Sequence, residues 1–397
     1  MTAALDDIRV LDLSDSAAGA WCTRLLADFG ADVITVEPRA GGHPLRALAP
    51  FTGDGRSIPA LYMLANKRSI AIDLDEPRAG NLLSRLIRRT DVIVESFTPG
   101  RLAELGMSFD TLEQRRGGMI LCSITPHGQT GERAAEPGND LTAFARSGWA
   151  SINGRADREP LNGSAFQASY QAGIAAYGAI VAALLHRDSH DNEGQHIDVA
   201  LDEVLASTCA PATVRTQYTG DPLGRREKSD ITTGPVPVAD GHFALTISRA
   251  HFWRDAMNLL GLEDLAEDER WAAGWYRQQH TDEYVPRVEA KMAGWKKMEL
   301  FEELAVRRVV AGPVLTMPEL RENEHLAARG FWAAAENDPN GPVYPGAPAQ
   351  LSASPWQLAR RMPRHGEHTF AVFREVGGIT EDHLLGLFES GVIGTVE

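Results

Sequence analysis

Cysteine is scarce in this chain: Cys22, Cys122 and Cys209 are the three among 397 residues, far apart and with no CxxC. That excludes a disulfide framework and a zinc knuckle and fits a reducing compartment, so the expected location is the cytoplasm. Basic charge is also short. Against 54 acidic residues stand 39 Lys and Arg, a net charge of −15, which disfavours nucleic acid and anionic membrane surfaces as partners. The longest apolar run, Gly173–Leu185, is too short and too rich in alanine to span a membrane. The opening MTAALDDIRVLDLSD has no basic segment leading into an apolar one, so no leader peptide is expected. Internal repeats, low-complexity tracts, the P-loop signature, a GxGxxG after the first strand, HExxH and GxSxG are all missing, and no metal site is expected.

What is there alternates. Ile8–Leu13 reads as a short buried strand and Ser14–Gly19 as a small-residue turn. Ala20–Phe29 reads as a helix with Trp21, Leu25 and Phe29 on one side, and Asp32–Glu37 as a second strand. Strand, turn, helix and strand in quick succession predict a parallel sheet. Arg68–Leu74, Asp91–Glu95, Met119–Ile124 and His196–Leu201 are further strand candidates with helical segments between them, the pattern of a doubly wound α/β domain. Phe166–Arg187 is a helix so dense in Ala and Gly that another backbone can approach it closely. After Pro211 the texture changes. Residues 211–234 read as a linker, and 235–329 as a smaller α+β domain that opens with a hairpin around Asp240-Gly241.

Several segments then fall in a telling order: AGAWCTRLLADFGADVITVEPRAGG from Ala18, ANKRSIAIDL from Ala65, DVIVESFTPGRLAELGMSF from Asp91 and ILCSITPHGQTG from Ile120. AGIAAYGAIVAALLHR from Ala172, EGQHIDVAL from Glu193, VADGHFAL from Val238, AGPV from Ala311 and PRHGEHT from Pro363 follow. Taken together they resemble the class III CoA-transferase (CaiB/BaiF) family over essentially the whole chain. The resemblance implies a large parallel-sheet domain built from both chain ends, residues 1–210 and a return over 330–397, with the small domain between. It implies an interlocked dimer, either of two copies or with a related subunit. Acyl-CoA and a carboxylic acid are the implied small-molecule partners, with coenzyme A lying along the carboxyl ends of the large-domain strands.

The same resemblance maps a CoA cradle onto Ser16 and Ala17 in the first turn, Pro38 and Arg46 after the second strand, and Ile72, Leu74 and Asp75 around the adenine. Ser96, Phe97 and Thr98 follow, ahead of Pro99-Gly100, with Arg101 beside them. Two basic positions of the family are Thr35 and Glu104 here, so Lys67, Arg68 and Arg101 are the candidates to supply the missing charge. In the family's transferases an Asp four residues before a Gly, near the start of the Ala/Gly-rich helix, attacks the thioester and passes through an anhydride and an aspartyl-CoA. Counting back from Gly173 gives Ser169, and no Asp or Glu occurs over residues 163–173. A hydroxyl would form an ordinary ester, too stable to hand an acyl group back to CoA. The racemase branch of the family pairs that Asp with a His where this chain has Asn139, and neither Ser nor Asn supplies a titratable group.

Asp140 remains. It is a candidate base toward Ser169 or a substrate, and equally a cap for a helix over Leu141–Ser147. Asn139 and Tyr170 are candidate substrate contacts, and the lone His127 reads as a solvated loop residue. Three readings stay open. The chain is an acyl-CoA enzyme with altered or lost aspartyl-anhydride chemistry, a non-catalytic subunit of a heteromeric CoA-transferase, or an acyl-CoA racemase, isomerase or binding protein.

Overall fold

The computed structural model describes residues 3–221, 223–225, 231, 234–247 and 249–395. Of the expected linker 211–234, positions 222, 226–230, 232 and 233 lie outside the described residues, and Ala210–Thr219 is helical. By internal contacts the chain divides into two units. One takes residues 1–153, 160–223 and 328–397, and the other 154–159 and 224–327.

The first unit is organised by short strands that are apolar on both sides. β1 (Arg9–Asp12) sends Val10 to one face and Leu11 to the other, and both are fully buried. A strand buried on both faces belongs in a sheet covered by helices on each side. β2 (Asp32–Pro38), β3 (Arg68–Ile72), β4 (Val92–Glu95), β5 (Ile120–Thr125) and β6 (Gln195–Ala200) join it in parallel, in the order β3-β2-β1-β4-β5-β6. Val10 faces Val33 on one side and Val92 on the other. The strand order reverses between β1 and β4, and the carboxyl ends of these two strands are where a sheet of this kind places its ligands. Ile393–Gly394 closes the outer edge antiparallel to β3.

The two faces carry separate cores. On the first, Leu11, Ile34, Ile70 and Ile93 meet the helix Ala79–Ile87 and two C-terminal helices, Thr369–Glu375 and Glu381–Glu389. On the second, Val10, Val33, Val92 and Cys122 meet α1 (Ala17–Asp28) and the long helix Gln167–Ser189. The 23 residues of the long helix would cross a membrane by length and composition. Its small-residue face, Ala168, Ala172, Gly173 and Ala176, is instead buried in this core against α1. A Cβ on Gly173 would stand 2.7 Å from the Ala18 carbonyl oxygen and 3.0 Å from the Trp21 ring. The two backbones therefore touch here, and only glycine fits.

The sequence reading missed one hairpin. Trp332–Ala335 pairs antiparallel with Asp338–Pro345 despite three prolines in the second strand. Each strand of a two-stranded sheet has a free outer edge, where a missing N–H leaves no ladder bond unmade. The second unit has the expected hairpin, Val236–Val238 with Gly241–Thr246, extended by Val310–Pro313 into an antiparallel sheet. Its own core is built around Trp253 and Tyr284.

Buried charge ties the first unit together. Lys67, read from sequence as a candidate ligand contact, is wholly buried: its Nζ donates to Asp12 Oδ2 at 3.1 Å, Thr23 Oγ1 at 2.6 Å and the Ala20 carbonyl at 2.9 Å. Arg68 is also buried, on Asp32 and Glu375. Asp28 accepts from Arg24, Asn66 and Trp356, so the returning C-terminal segment is pinned to α1. Breaking a buried pair from one side leaves an uncompensated charge. Lys67→Met should therefore cost about 3–5 kcal/mol in a denaturant titration. Combining it with Asp12→Asn should recover most of that loss, and a single variant as stable as the parent would contradict the account.

Candidate active site

Two helix starts meet at the candidate centre. The helix Asp140–Arg146 is capped by Asn139, whose side chain accepts from Thr142 N–H at 3.0 Å while Thr142 Oγ1 accepts from Asn139 N–H at 2.9 Å. Asn139, expected near substrate, is thus the cap, and this frees Asp140 from the capping role. The Asp140 carboxylate turns to the first turn of the long helix. Its Oδ1 accepts from the backbone N–H of Ser169 at 2.9 Å and its Oδ2 from Ser169 Oγ at 2.7 Å. Ser169 is buried, 4% exposed, and Asp140 is half-buried. The long helix's own N-cap residue, Phe166, makes no side-chain cap bond, so its first-turn N–H groups and the positive end of its dipole favour an anion such as Asp140 there.

Aromatic rings wall this centre. Tyr170 stands edge-on to Trp21 with ring centroids 5.2 Å apart, and Trp21 stacks on Tyr62 at 5.4 Å. Burial, then the nearby Tyr62 and Asp140, push the Tyr170 hydroxyl up to about 12, so it stays protonated and can donate. Trp149 stacks on Phe144 with ring centroids 6.1 Å apart, and its indole N–H donates to the Leu205 carbonyl at 3.1 Å. His127 is not solvated but has a side chain only 4% exposed, with Nδ1 2.8 Å from Asp202 Oδ2. A Cβ on Gly138 would lie 2.5 Å from Pro126 and 3.2 Å from His127 Nε2. The loop carrying Asp140 therefore rests directly on Pro126 and His127.

The residues mapped to a CoA cradle gather only in part. Ser16 is the N-cap of α1 and accepts from Gly19 N–H at 3.1 Å, with Ala17 next to it. Ser96 donates to Asp15 Oδ1 at 2.7 Å and accepts from Asp15 N–H at 3.0 Å, which joins the loops after β1 and β4 where the strand order reverses. Phe97 N–H donates to Glu95, and the Thr98 carbonyl accepts from Arg101. Ile72 is core, and Leu74 packs against it. The basic groups are engaged within the chain. Arg46 closes two-pronged on Glu37 at 2.7 Å, with a third bond to the Pro363 carbonyl, and Arg101 sits on Asp75 and Glu104. The Pro38 carbonyl faces His365 Nε2 at 2.9 Å.

Two buried groups at the strand ends were not singled out from sequence. Burial, with Asp15 and Asp198 nearby, raises the Glu95 carboxyl above its usual range although Ser123 and Phe97 N–H hold it. His43, 1% exposed, caps a short turn by accepting from Leu45 N–H on Nδ1. Its Nε2 is buried without a partner among the described residues. One lone histidine in GGHPL carries no sequence pattern that separates it from a surface residue. Among the described residues no group of three or more His, Cys, Asp or Glu is placed to hold a metal.

A reversed-order parallel sheet with a carboxylate seated on a helix start defines an α/β protein with a candidate site at the end of the sheet. Comparison is more specific. A family model for CoA-transferase family III matches residues 5–369, and the chain belongs to that family. It is 35% identical to a succinate–glutarate CoA-transferase of Agrobacterium fabrum, over 94% of this chain and 95% of that protein. It is 33% identical to the BbsE subunit of a succinyl-CoA:(R)-benzylsuccinate CoA-transferase of Thauera aromatica, over 93% of both. A CaiB/BaiF family protein from Brucella suis superposes with a TM-score of 0.86 at 29% identity, covering 95% of this chain and 100% of that one.

His43 gives this region a pH signature. Burial lowers its imidazole from 6.5 to about 4, so it is neutral in the folded chain. Between these values the unfolded chain takes up the extra proton, and stability falls as pH drops from about 6.5 to about 4. Urea midpoints across that range should fall less steeply in His43→Gln than in the parent. Parallel curves would show that another group governs the acid side.

Proposed function

We propose that this chain transfers CoA from an acyl-CoA to a carboxylic acid, with dicarboxylic acids of the succinate kind as donor and acceptor, in the cytoplasm. The observation that carries this is the Ser169–Asp140 pair at the start of the long helix, where the family's transferases keep their nucleophile. Family membership supports acyl-CoA chemistry, and the relatives, which are succinyl- and glutarate-type CoA-transferases, support the acid class. Three buried free cysteines suit a reducing compartment. Racemisation finds no support in the site, because Asn139 is a helix cap and Ser169 is hydrogen-bonded to a carboxylate rather than paired with a second base.

A second reading has its own observation. The long helix exposes Ile174 at 54% and Leu185 at 67% on the side away from its core face. Paired with this exposure, one close relative is named as a subunit. A second chain, either a copy or a related subunit, covers that face in this reading, and an interlocked dimer is the form it takes.

Two measurements test these readings. Purified chain given succinyl-CoA and glutarate should form glutaryl-CoA, read by liquid chromatography and mass. No new thioester with any of a panel of dicarboxylic acids, with or without a co-purifying subunit, sinks the transferase reading. Light scattering should give at least twice the chain mass, and Ile174→Asp with Leu185→Asp should halve it. An unchanged mass in the double variant removes this face from the interface.

A further inference from the structure

The proposed transfer needs an activated carboxyl on the protein, and position 169 has none. Resting on that reading, we propose that Asp140 is the nucleophile and that Ser169 seats it. A serine Oγ stands one bond from Cβ, where the carboxyl carbon of an aspartate would stand. Asp140 Oδ2 lies 2.7 Å from that Oγ. The neighbouring helix thus delivers a carboxylate to within one hydrogen bond of the place that an aspartate at 169 would fill. The exchange of residue also makes electrostatic sense. Two carboxylates at this spacing repel, whereas Ser169 donates to Asp140 and orients it.

The seat serves the whole exchange. An Asp140 oxygen attacks the thioester carbonyl of the donor, the C–S bond breaks, and CoA leaves as thiolate from a mixed anhydride. The thiolate attacks the Asp140 carbonyl carbon, the anhydride C–O bond breaks, and the donor acid leaves as carboxylate. The acceptor carboxylate then attacks the Asp140 thioester and displaces the thiolate, which attacks the acceptor's carbonyl and frees Asp140. Charge and atoms balance with no net proton and no further reactant. In both middle steps negative charge develops on the Asp140 carbonyl oxygen. The Ser169 backbone N–H, 2.9 Å from Oδ1 at the start of a 23-residue helix, is already aimed at it. A Ser169 nucleophile would instead end in an ester that thiolate does not reopen.

The test traps the intermediate. Wild-type chain is mixed with succinyl-CoA alone, quenched with hydroxylamine, digested and weighed, with the expected hydroxamate on the peptide bearing Asp140. Asp140→Asn should lose transfer by about 1000-fold or more while keeping CoA binding by calorimetry. Ser169→Ala should keep the label on Asp140 and slow transfer by about 10- to 100-fold, since the backbone N–H remains. Label on Ser169 as a hydroxylamine-resistant ester, or full transfer by a folded Asp140→Asn chain, overturns the proposal. Transfer without label on Asp140 overturns it alone. Absence of both transfer and label takes the transferase reading with it.

Discussion

Where Gly173 meets Ala18, two backbones lie closer than any side chain would permit, and the candidate site hangs on that contact. α1 is fixed by what it follows: it leaves β1 at the middle of the sheet and is capped at once by Ser16. The long helix has no strand immediately before it and takes its position from packing. Its run of Ala and Gly lets it settle onto α1 at backbone distance, and this sets the height of its first turn. Ser169 then stands where the Asp140 loop can reach it. Small residues in this helix are therefore a positional device as well as a packing one.

The site also shows how an acidic chain handles charge. Three cations mapped to or near the cradle are engaged within the chain. Lys67 is buried on Asp12, Arg46 grips Glu37 with both prongs, and Arg101 rests on Asp75 and Glu104. Backbone N–H groups at helix starts are donors that acidic side chains elsewhere do not cancel. The carboxylate of Asp140 finds its partners in one of these and in a hydroxyl.

Much of the first unit was legible because its signals are local. IRVLDL, DVITVE and DVIVE are short, apolar and bounded by turn residues, and each is a strand of the sheet. The sheet's order was not legible, since it depends on contacts far apart in sequence. Nor was the hairpin near residue 340, whose second strand carries three prolines. At the site, Ser169 and Asp140 could be named separately, but their 29-residue separation hid the bond between them. Asp140 also read as a cap because the true cap, Asn139, is its immediate neighbour and both residue types suit the position. Lys67 read as a ligand contact and His127 as a solvated loop residue because sequence shows a charge or a ring but not the partner that buries it.

The C-terminal return has a consequence for how the molecule is made. Trp356 bonds Asp28, the Gln357 carbonyl accepts from Asn66, Gly366 N–H reaches Ser69, and Ile393 pairs with Ile72. The sheet edge and one of its two cores are thus finished by residues translated after the second unit. With synthesis running at roughly 5–20 residues per second, β3 waits many seconds for its final neighbour, while most of the second unit is a single run that emerges earlier. The order of translation therefore puts the insertion ahead of its host, and the sheet edge beside β3 stays open on a ribosome-bound chain until after the second unit has emerged.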